Sequence, residues 1–144
     1  MPMTTMKYLH TAVRVSDLDE ALNFYCGTMG MEEVRRFKGH QRPCDIVFLA
    51  MPGDTDSQIE VVYYHDEEDR KKHGSFSHVA YQVENIYETC QELMDKGLTL
   101  NLPPRDGFMA FVKSPDGISF ELLQKGGPRP PEEPWTSMPD QGTW

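Results

Sequence analysis

Two histidines and two glutamates recur at matching places in this 144-residue sequence. His10 and His78 each lie in a segment that alternates polar and apolar residues, and the segments align at an offset of 68 (78 minus 10). Glu60 and Glu121 lie within hydrophobic runs that align at an offset of 61 (121 minus 60). The pattern indicates an internal duplication in which each copy supplies one histidine and one glutamate.

These four residue types can together bind a metal ion. A carboxylate in the middle of a hydrophobic strand is costly to bury unless it is paired or metal-bound. Two imidazoles and two carboxylates around one point suit a first-row divalent metal, with positions left for water or substrate. For any one residue, a hydrogen-bonded core histidine or a solvated glutamate is the simpler reading, but four residues in a repeated arrangement favour the metal site.

The elements that position these residues are predicted from hydrophobic periodicity. In the first copy, a helix begins at Ser16 or Asp17 and ends near Met29. The helix of the second copy covers 86–96. The predicted strands are 7–15, 31–38, 45–51 and 58–64 in the first copy, and 76–83, 98–102, 107–113 and 118–124 in the second. The fold class is therefore α+β, with two tandem βαβββ modules at 7–65 and 75–125.

Strand alternation predicts which side chains share a face. His10 shares one side of its strand with Ala12 and Arg14, while Val13 and Val15 lie on the apolar side that must meet the helix. On the fourth strand of the first copy, Glu60 shares its side with Tyr64. The same alternation applies to His78 and Glu121 in the second copy.

Two segments lie outside the repeats. Residues 65–74 are strongly charged and are predicted to be a solvated linker. Residues 126–144 are rich in proline and glycine, and they form a tail that is either disordered or laid over the surface by Trp135 and Trp144.

Charge and cysteine usage limit the classes of partner. The net charge of −9 argues against nucleic acid or an anionic membrane as the main partner, because both require a positive field. No hydrophobic run approaches the ~18 residues of a membrane span. The three separated cysteines, Cys26, Cys44 and Cys90, are expected to be reduced apolar groups, so a cytoplasmic location is predicted.

Several short motifs resemble the glyoxalase I (lactoylglutathione lyase) family of the vicinal-oxygen-chelate superfamily. The resemblance covers about 7–125, and its motifs are Leu9-His10-Thr11, Arg14-Val15-Ser16-Asp17-Leu18, Asn23-Phe24-Tyr25, Gly30-Met31, Ile59-Glu60, His78-Val79-Ala80, Ala110-Phe111, Pro115-Asp116-Gly117 and Phe120-Glu121-Leu122-Leu123. It implies a curved mixed sheet around the metal site, closed in a homodimer. It also implies that the metal ligands are His10, Glu60, His78 and Glu121.

The resemblance implies a reaction as well. The small-molecule substrate would be the hemithioacetal of methylglyoxal and glutathione or another thiol, converted through an enediolate to the S-lactoyl thioester as a detoxification step. Glu121 is expected to be the principal base and Glu60 its partner across the metal. The compact length is more similar to the nickel- or cobalt-activated class, with zinc as a further possibility.

Substrate contacts are the least defined part of the resemblance. Arg14 matches a family position near the γ-glutamyl end of glutathione, and Tyr64 stands where family members commonly carry asparagine, which puts the identity of the thiol in doubt. Further candidate cations near the mouth of the site are Arg36, Lys38, Lys113 and Lys125.

Three other functions remain open. An acyl-CoA epimerase would use a similar metal and paired carboxylates, so the sequence separates it poorly from glyoxalase I. An extradiol dioxygenase needs only His10, His78 and Glu121, which would leave Glu60 as an unneeded buried acid. A non-catalytic drug-binding resistance protein has no need of four intact ligands, so their presence argues against it.

Overall fold

Alternating polar and apolar residues form the strands in both halves of the chain, largely where the sequence predicts them. The computed structural model describes residues 5–39 and 42–144. These divide into two units. The N-terminal unit is Leu9–His78, and the C-terminal unit takes in the described residues before Leu9 together with Val79–Trp144.

The N-terminal unit has one strand, a helical segment and three further strands. In chain order its elements are β1 (Lys7–Arg14), α1 (Leu18–Leu22), a π-helix (Asn23–Thr28), β2 (Glu32–Lys38), β3 (Cys44–Met51), β4 (Asp54–Tyr64) and α2 (Glu67–Lys72). The strand order is β2-β3-β4-β1. Strand β1 runs parallel to β4, whereas the pairs β2–β3 and β3–β4 are antiparallel. A crossover through the helical segment is what a parallel pair requires.

The core of this unit lies between the strands and the helical segment. Val47, Leu49 and Val61 are fully buried, and Leu18 and Leu22 of α1 pack against them. Val13 and Val15 join the same cluster, so their predicted placement on the helix side of β1 is confirmed. The opposite face of these strands is therefore the one that carries His10 and Glu60.

The helical segment differs from the single α-helix predicted as far as Met29. Asp17 caps α1, its Oδ1 accepting a hydrogen bond from Glu20 N at 2.9 Å. The α-helix ends at Leu22, and a π-helix continues the segment to Thr28. In this wider turn, Met29 N donates to the carbonyl of Phe24, five residues back, at 2.9 Å. Apolar spacing alone does not distinguish the two helix types.

The C-terminal unit repeats the order of strand, helix and strands. Strand β5 (Phe76–Val83) begins at the end of the N-terminal unit and continues into this one. It is followed by α3 (Ile86–Asp95), β6 (Met109–Lys113), β7 (Ser119–Gln124) and a 3₁₀ turn (Trp135–Ser137), and the strand order is β5-β7-β6.

The predicted strand at 98–102 is wrong. Of these residues only Leu102 makes a β-bridge, to Phe111. Pro103 and Pro104 follow at once, and neither has a backbone N–H with which to extend a ladder.

The tail of the sequence packs on the C-terminal unit, so the disordered alternative is wrong and the surface-laid one is confirmed. Trp135 is buried in the core cluster that includes Ile86 and Cys90, and its ring stacks on Tyr87 with the centroids 5.7 Å apart. The hydroxyl of Tyr87 donates to the carbonyl of Pro130 at 2.7 Å. Farther along, Trp144 stacks on Phe111.

The predicted linker at 65–74 is not merely a connection, because it contains α2. Asp66 caps this helix by accepting a hydrogen bond from Glu68 N. Acidic residues occupy its first turn and basic residues its last, which is the favourable arrangement for the helix dipole.

The structure also tests the predictions about the state of the cysteines and about membrane-spanning segments. All three cysteines are free; Cys44 and Cys90 are buried and Cys26 is partly buried, as predicted. Among the described residues, no helix has both the length and the apolar character needed to cross a bilayer.

Candidate metal centre

Three of the four predicted ligands lie in the N-terminal unit. His10 is on β1, Glu60 on β4 and His78 near the start of β5. In the parallel register Ala12 lies opposite Glu60, and His10, two residues before Ala12, shares its face because side chains alternate along a strand. The strand pairing therefore brings the imidazole of His10 and the carboxylate of Glu60 to one face.

The two imidazoles meet one carboxylate oxygen. Nε2 of His10 lies 2.9 Å from Oε2 of Glu60, and Nε2 of His78 lies 3.6 Å from the same oxygen. The two imidazole rings are 5.8 Å apart between centroids. His10 is 5% exposed and Glu60 8% exposed, so this group of donors is largely removed from water.

The surroundings keep Glu60 ionised. Burial alone would raise the pKa of this carboxyl, but the adjacent imidazoles of His10 and His78 together outweigh burial and lower the pKa to about 2. A carboxylate that holds its charge in a buried position is suited to bind a cation.

Neighbouring side chains fix the orientation of both rings. Nδ1 of His78 lies 2.9 Å from the hydroxyl oxygen of Ser77, which leaves the other ring nitrogen directed at Glu60. The ring of His10 packs edge-on against Phe48, with centroids 5.0 Å apart. Ligating histidines usually have such a partner on the second nitrogen, because it sets the tautomer and the ring direction.

This donor set fits a divalent metal ion. The candidate ligand atoms of His10, Glu60 and His78 all lie within 4.8 Å of one another. Two imidazole nitrogens and a carboxylate oxygen are donors that nickel, cobalt, zinc and iron accept. Three protein ligands would also leave coordination positions for water or substrate.

Glu121, the fourth predicted ligand, belongs to the C-terminal unit. It is partly buried on β7 and pairs across to Phe111 of β6. Its neighbour Leu122 faces the hydrophobic core, so Glu121 lies on the opposite face of its strand. Its part in metal binding and proton transfer stays a prediction.

Arg14 and Tyr64, the predicted substrate contacts, lie next to each other. The guanidinium of Arg14 donates to the carbonyls of Gly74 and Phe76 at 3.1 and 2.8 Å, and its Nε donates to the hydroxyl of Tyr64 at 3.4 Å. These bonds fix the start of β5, and with it the strand that carries His78. Direct contact with substrate stays a prediction for both residues.

The sequence did not single out Arg35, which lies on the same face as Glu60. Arg35 pairs with Phe48, and Phe48 in turn pairs with Glu60. The candidates Arg36 and Lys38 are instead bound to acids, Glu33 and Asp45 respectively. A register shift between Glu33 and Arg35 exchanges the faces that simple alternation gives to Arg35 and Arg36. The charge pattern of the sequence does not reveal this shift.

Comparisons with known proteins identify the family to which the chain is similar. The sequence profile of the Glyoxalase/Bleomycin resistance protein/Dioxygenase superfamily matches residues 7–122. A probable lactoylglutathione lyase of Vibrio cholerae is 34% identical over 128 residues, which cover 85% of this chain and 93% of that protein. A probable lactoylglutathione lyase of Synechocystis is 34% identical over 125 residues, covering 83% of this chain and 95% of that protein.

Solved structures show the same fold. The crystal structure of methylmalonyl-CoA epimerase from Mycobacterium tuberculosis superposes with a TM-score of 0.68 and 25% sequence identity. The superposition covers 90% of this chain and 94% of the epimerase.

Proposed function

The chain belongs to the Glyoxalase/Bleomycin resistance protein/Dioxygenase superfamily and is a lactoylglutathione lyase-like enzyme, and we propose that it isomerises the hemithioacetal of methylglyoxal and a thiol. Glutathione is the first candidate for the thiol, because the relatives are named for lactoylglutathione. The observation that carries the proposal is the grouping of His10, Glu60 and His78, in which His10 and Glu60 are buried and His78 is partly buried.

The proposed reaction moves one proton between adjacent carbons. The carbon that bears sulfur and hydroxyl loses its proton, and the neighbouring ketone carbon gains one. The hydroxyl proton passes to the former ketone oxygen, so a hydroxy ketone becomes a hydroxy thioester with no net oxidation. The carbon acid is weak, so the reaction needs both a positioned base and stabilisation of negative charge on the two oxygens.

His10, Glu60 and His78 would hold the metal ion, and we include Glu121 as the fourth ligand. A divalent ion, when bound, supplies Lewis-acid stabilisation of the negative charge that develops on the substrate oxygens. Nickel or cobalt is the proposed ion, with zinc as the alternative.

Glu121 is the proposed principal base. The carboxylate of Glu60 already faces two imidazole nitrogens through one oxygen, which favours a ligand's role for it. Glu121 would take the proton from the carbon next to sulfur and return it to the neighbouring carbon, with Glu60 as its partner across the metal. A homodimer in the cytoplasm is part of the same proposal, and the free cysteines are in keeping with that compartment.

The experiment is an ultraviolet assay of thioester formation from methylglyoxal with glutathione and other thiols, on protein loaded in turn with nickel, cobalt and zinc. Glu121→Gln should lower kcat by about 100-fold or more, because it removes the base while keeping the shape of the side chain. Glu88→Gln, at an exposed position of α3, is the matched control and should keep full activity. Full activity of Glu121→Gln would remove that residue from the mechanism.

A second candidate is epimerisation of an acyl-CoA with an acidic α-proton. The superposition on methylmalonyl-CoA epimerase favours it, since that reaction also moves a proton next to a carbonyl group. Incorporation of deuterium at the α-carbon of methylmalonyl-CoA, without thioester formation from any thiol, would support the epimerase over the lyase.

A further inference from the structure

A β-bulge in β2 turns one arginine toward the face that carries the metal centre. Glu33 pairs with Leu49, which belongs to the core on the helix side. The register then shifts, and Arg35 pairs with Phe48. Without the extra residue, Arg35 would share the helix-side face of Glu33, because side chains alternate along a strand. Bulges of this kind are common next to active sites, where they re-aim a side chain.

Aromatic rings hold the side chain of Arg35 in place. Its guanidinium carbon lies 4.1 Å from the centroid of the Phe48 ring and 5.4 Å from that of Phe37. The rings of Phe37 and Phe48 stack on each other with the centroids 5.9 Å apart. Phe48 also contacts the ring of His10 edge-on. Two contacts, Arg35 with Phe48 and Phe48 with His10, therefore lead from the guanidinium to a candidate metal ligand.

Arg35 differs from its basic neighbours in its charge partners. Arg36 binds Glu33 with an N–O distance of 2.7 Å, and Lys38 binds Asp45. Within residues 5–39 and 42–144, no carboxylate lies within salt-bridge distance of Arg35. A guanidinium stacked on aromatic rings keeps its planar edge of N–H donors available for an oxyanion.

We propose that Arg35 binds an anionic oxygen group on the thiol carrier of the substrate, and so determines which thiol the enzyme accepts. The inference rests on the proposed function and names the substrate class for the same site. Neighbouring strands lie about 4.8 Å apart, so Arg35 stands roughly 10 Å along the sheet from Glu60. In a tripeptide thiol whose cysteine is the central residue, the terminal carboxylate lies up to about 7 Å from that cysteine, and the long side chain of Arg35 can cover the remaining distance.

The overall charge of the protein favours a local cation in the site. The chain carries a net charge of −9, which repels an acidic thiol at long range. A guanidinium held on the site face offsets this repulsion locally. The same chemistry would accept a carboxylate of a peptidyl thiol or a phosphate of coenzyme A, and the experiment separates the two.

The test compares Arg35→Gln with Arg36→Gln, the adjacent residue on the opposite face of β2. With the hemithioacetal of glutathione, Arg35→Gln should raise KM by about 10-fold and change kcat by less than about twofold, because it removes a charge-assisted contact but no reacting group. With 2-mercaptoethanol, which carries no charge, its KM should equal that of the wild type. Arg36→Gln should leave KM unchanged for both thiols, and Arg35→Lys should restore part of the loss.

A binding measurement keeps this inference separate from the proposed activity. Calorimetric titrations would use S-hexylglutathione, its diester, which lacks both carboxylates, and acetyl-CoA with each folded variant, as judged by circular dichroism. A loss of affinity in Arg35→Gln confined to S-hexylglutathione assigns a carboxylate, and one confined to acetyl-CoA assigns a phosphate. Either result supports the role of Arg35 even if no thioester is formed with any thiol.

Three outcomes would overturn the inference. One is an unchanged KM and affinity for every charged ligand in Arg35→Gln. Another is an equal loss for ligands with and without an anionic group, which would indicate a purely structural role in holding Phe48. The third is a wild-type protein that binds neither S-hexylglutathione nor acetyl-CoA.

Discussion

The carboxylate of Glu60 is buried at a place where a lone charge would be strongly unfavourable. Two imidazole nitrogens within 3.6 Å of one of its oxygens compensate for the lost hydration. Removing one partner of such a group leaves an uncompensated buried charge, which is the costliest kind of substitution. The two histidines and Glu60 therefore depend on one another, in the apo protein as well as with a metal bound.

Ser77 has the clearest indirect effect on this group. Its hydroxyl lies 2.9 Å from Nδ1 of His78, so it holds the ring with Nε2 toward Glu60. Ser77→Ala should weaken metal binding by about 10–100-fold, because the ring loses the partner that sets its tautomer and direction. Competition of nickel or cobalt with a chromophoric chelator measures the change.

Ser75→Ala is the matched control for this prediction. Ser75 is two residues earlier, and its backbone carbonyl accepts a hydrogen bond from Arg14 N that the substitution leaves intact. Its metal affinity should equal that of the wild type. Equal affinities in Ser77→Ala and Ser75→Ala would show that the contact with His78 has no part in metal binding.

The regularity of a strand decides which face each of its residues occupies. The sequence predicts these faces correctly for regular strands but not past a bulge. Simple alternation correctly predicts that Val13 and Val15 pack against the helical segment, because β1 is regular. In β2 the bulge reverses the alternation of faces after Glu33. The side chain of Arg35 therefore lies on the face of the metal centre, while Arg36 lies on the opposite face and binds Glu33. Consecutive arginines look alike in a charge pattern, and a one-residue register shift leaves no signal there.

The burial of Cys90 on helix α3 leads to a prediction about the reactivity of its thiol. Burial in its apolar face raises the pKa of Cys90 to about 12. The reactive thiolate is then only about one molecule in 10,000 at pH 8, so Cys90 should resist iodoacetamide in the native protein. Partly buried Cys26 on the π-helix should react first. Mass spectrometry of the labelled peptides follows each site.

The same raised pKa has a consequence for alkaline stability. Above pH 9, the ordinary pKa of a thiol, the unfolded chain loses the proton of Cys90 while the folded chain keeps it. The folded state then binds more protons, so the free energy of unfolding should fall as pH rises from 9 toward 12. Cys90→Ala should remove this part of the decline. If iodoacetamide labelled Cys90 in the native protein as fast as in protein unfolded by guanidinium, the burial of this thiol would be contradicted.

For the molecule as a whole, the internal repeat explains most of what sequence could predict. The pattern of strand, helix and strands occurs twice. From this repeat the sequence predicts nearly all the strands and selects both histidines and both glutamates as candidate metal ligands. The repeat could not predict the segments in which the copies differ. The proline pair after Leu102 reduces one strand to a bridge, and the core position of Trp135 depends on contacts distant in sequence that periodicity does not register.

Metal binding should stabilise the whole folded protein, because the unfolded chain lacks the assembled donors. At a free metal concentration 100 times Kd, the gain is about 2.7 kcal/mol. For a chain of this size that corresponds to a rise in Tm of roughly 5–10 °C. Calorimetric scans of the protein with nickel or cobalt and with EDTA measure the difference.

Variants in each unit test which residues the metal-dependent rise in Tm requires. His10→Ala should lose the metal-dependent rise in Tm, since it removes one of three donors within Leu9–His78. Glu121→Gln should keep a smaller rise, because it leaves those three donors in place, and Glu88→Gln should keep all of it. If Glu121→Gln lost the rise as completely as His10→Ala, the three donors of the N-terminal unit would not suffice to hold the ion. A full rise in His10→Ala would place the metal elsewhere on the chain.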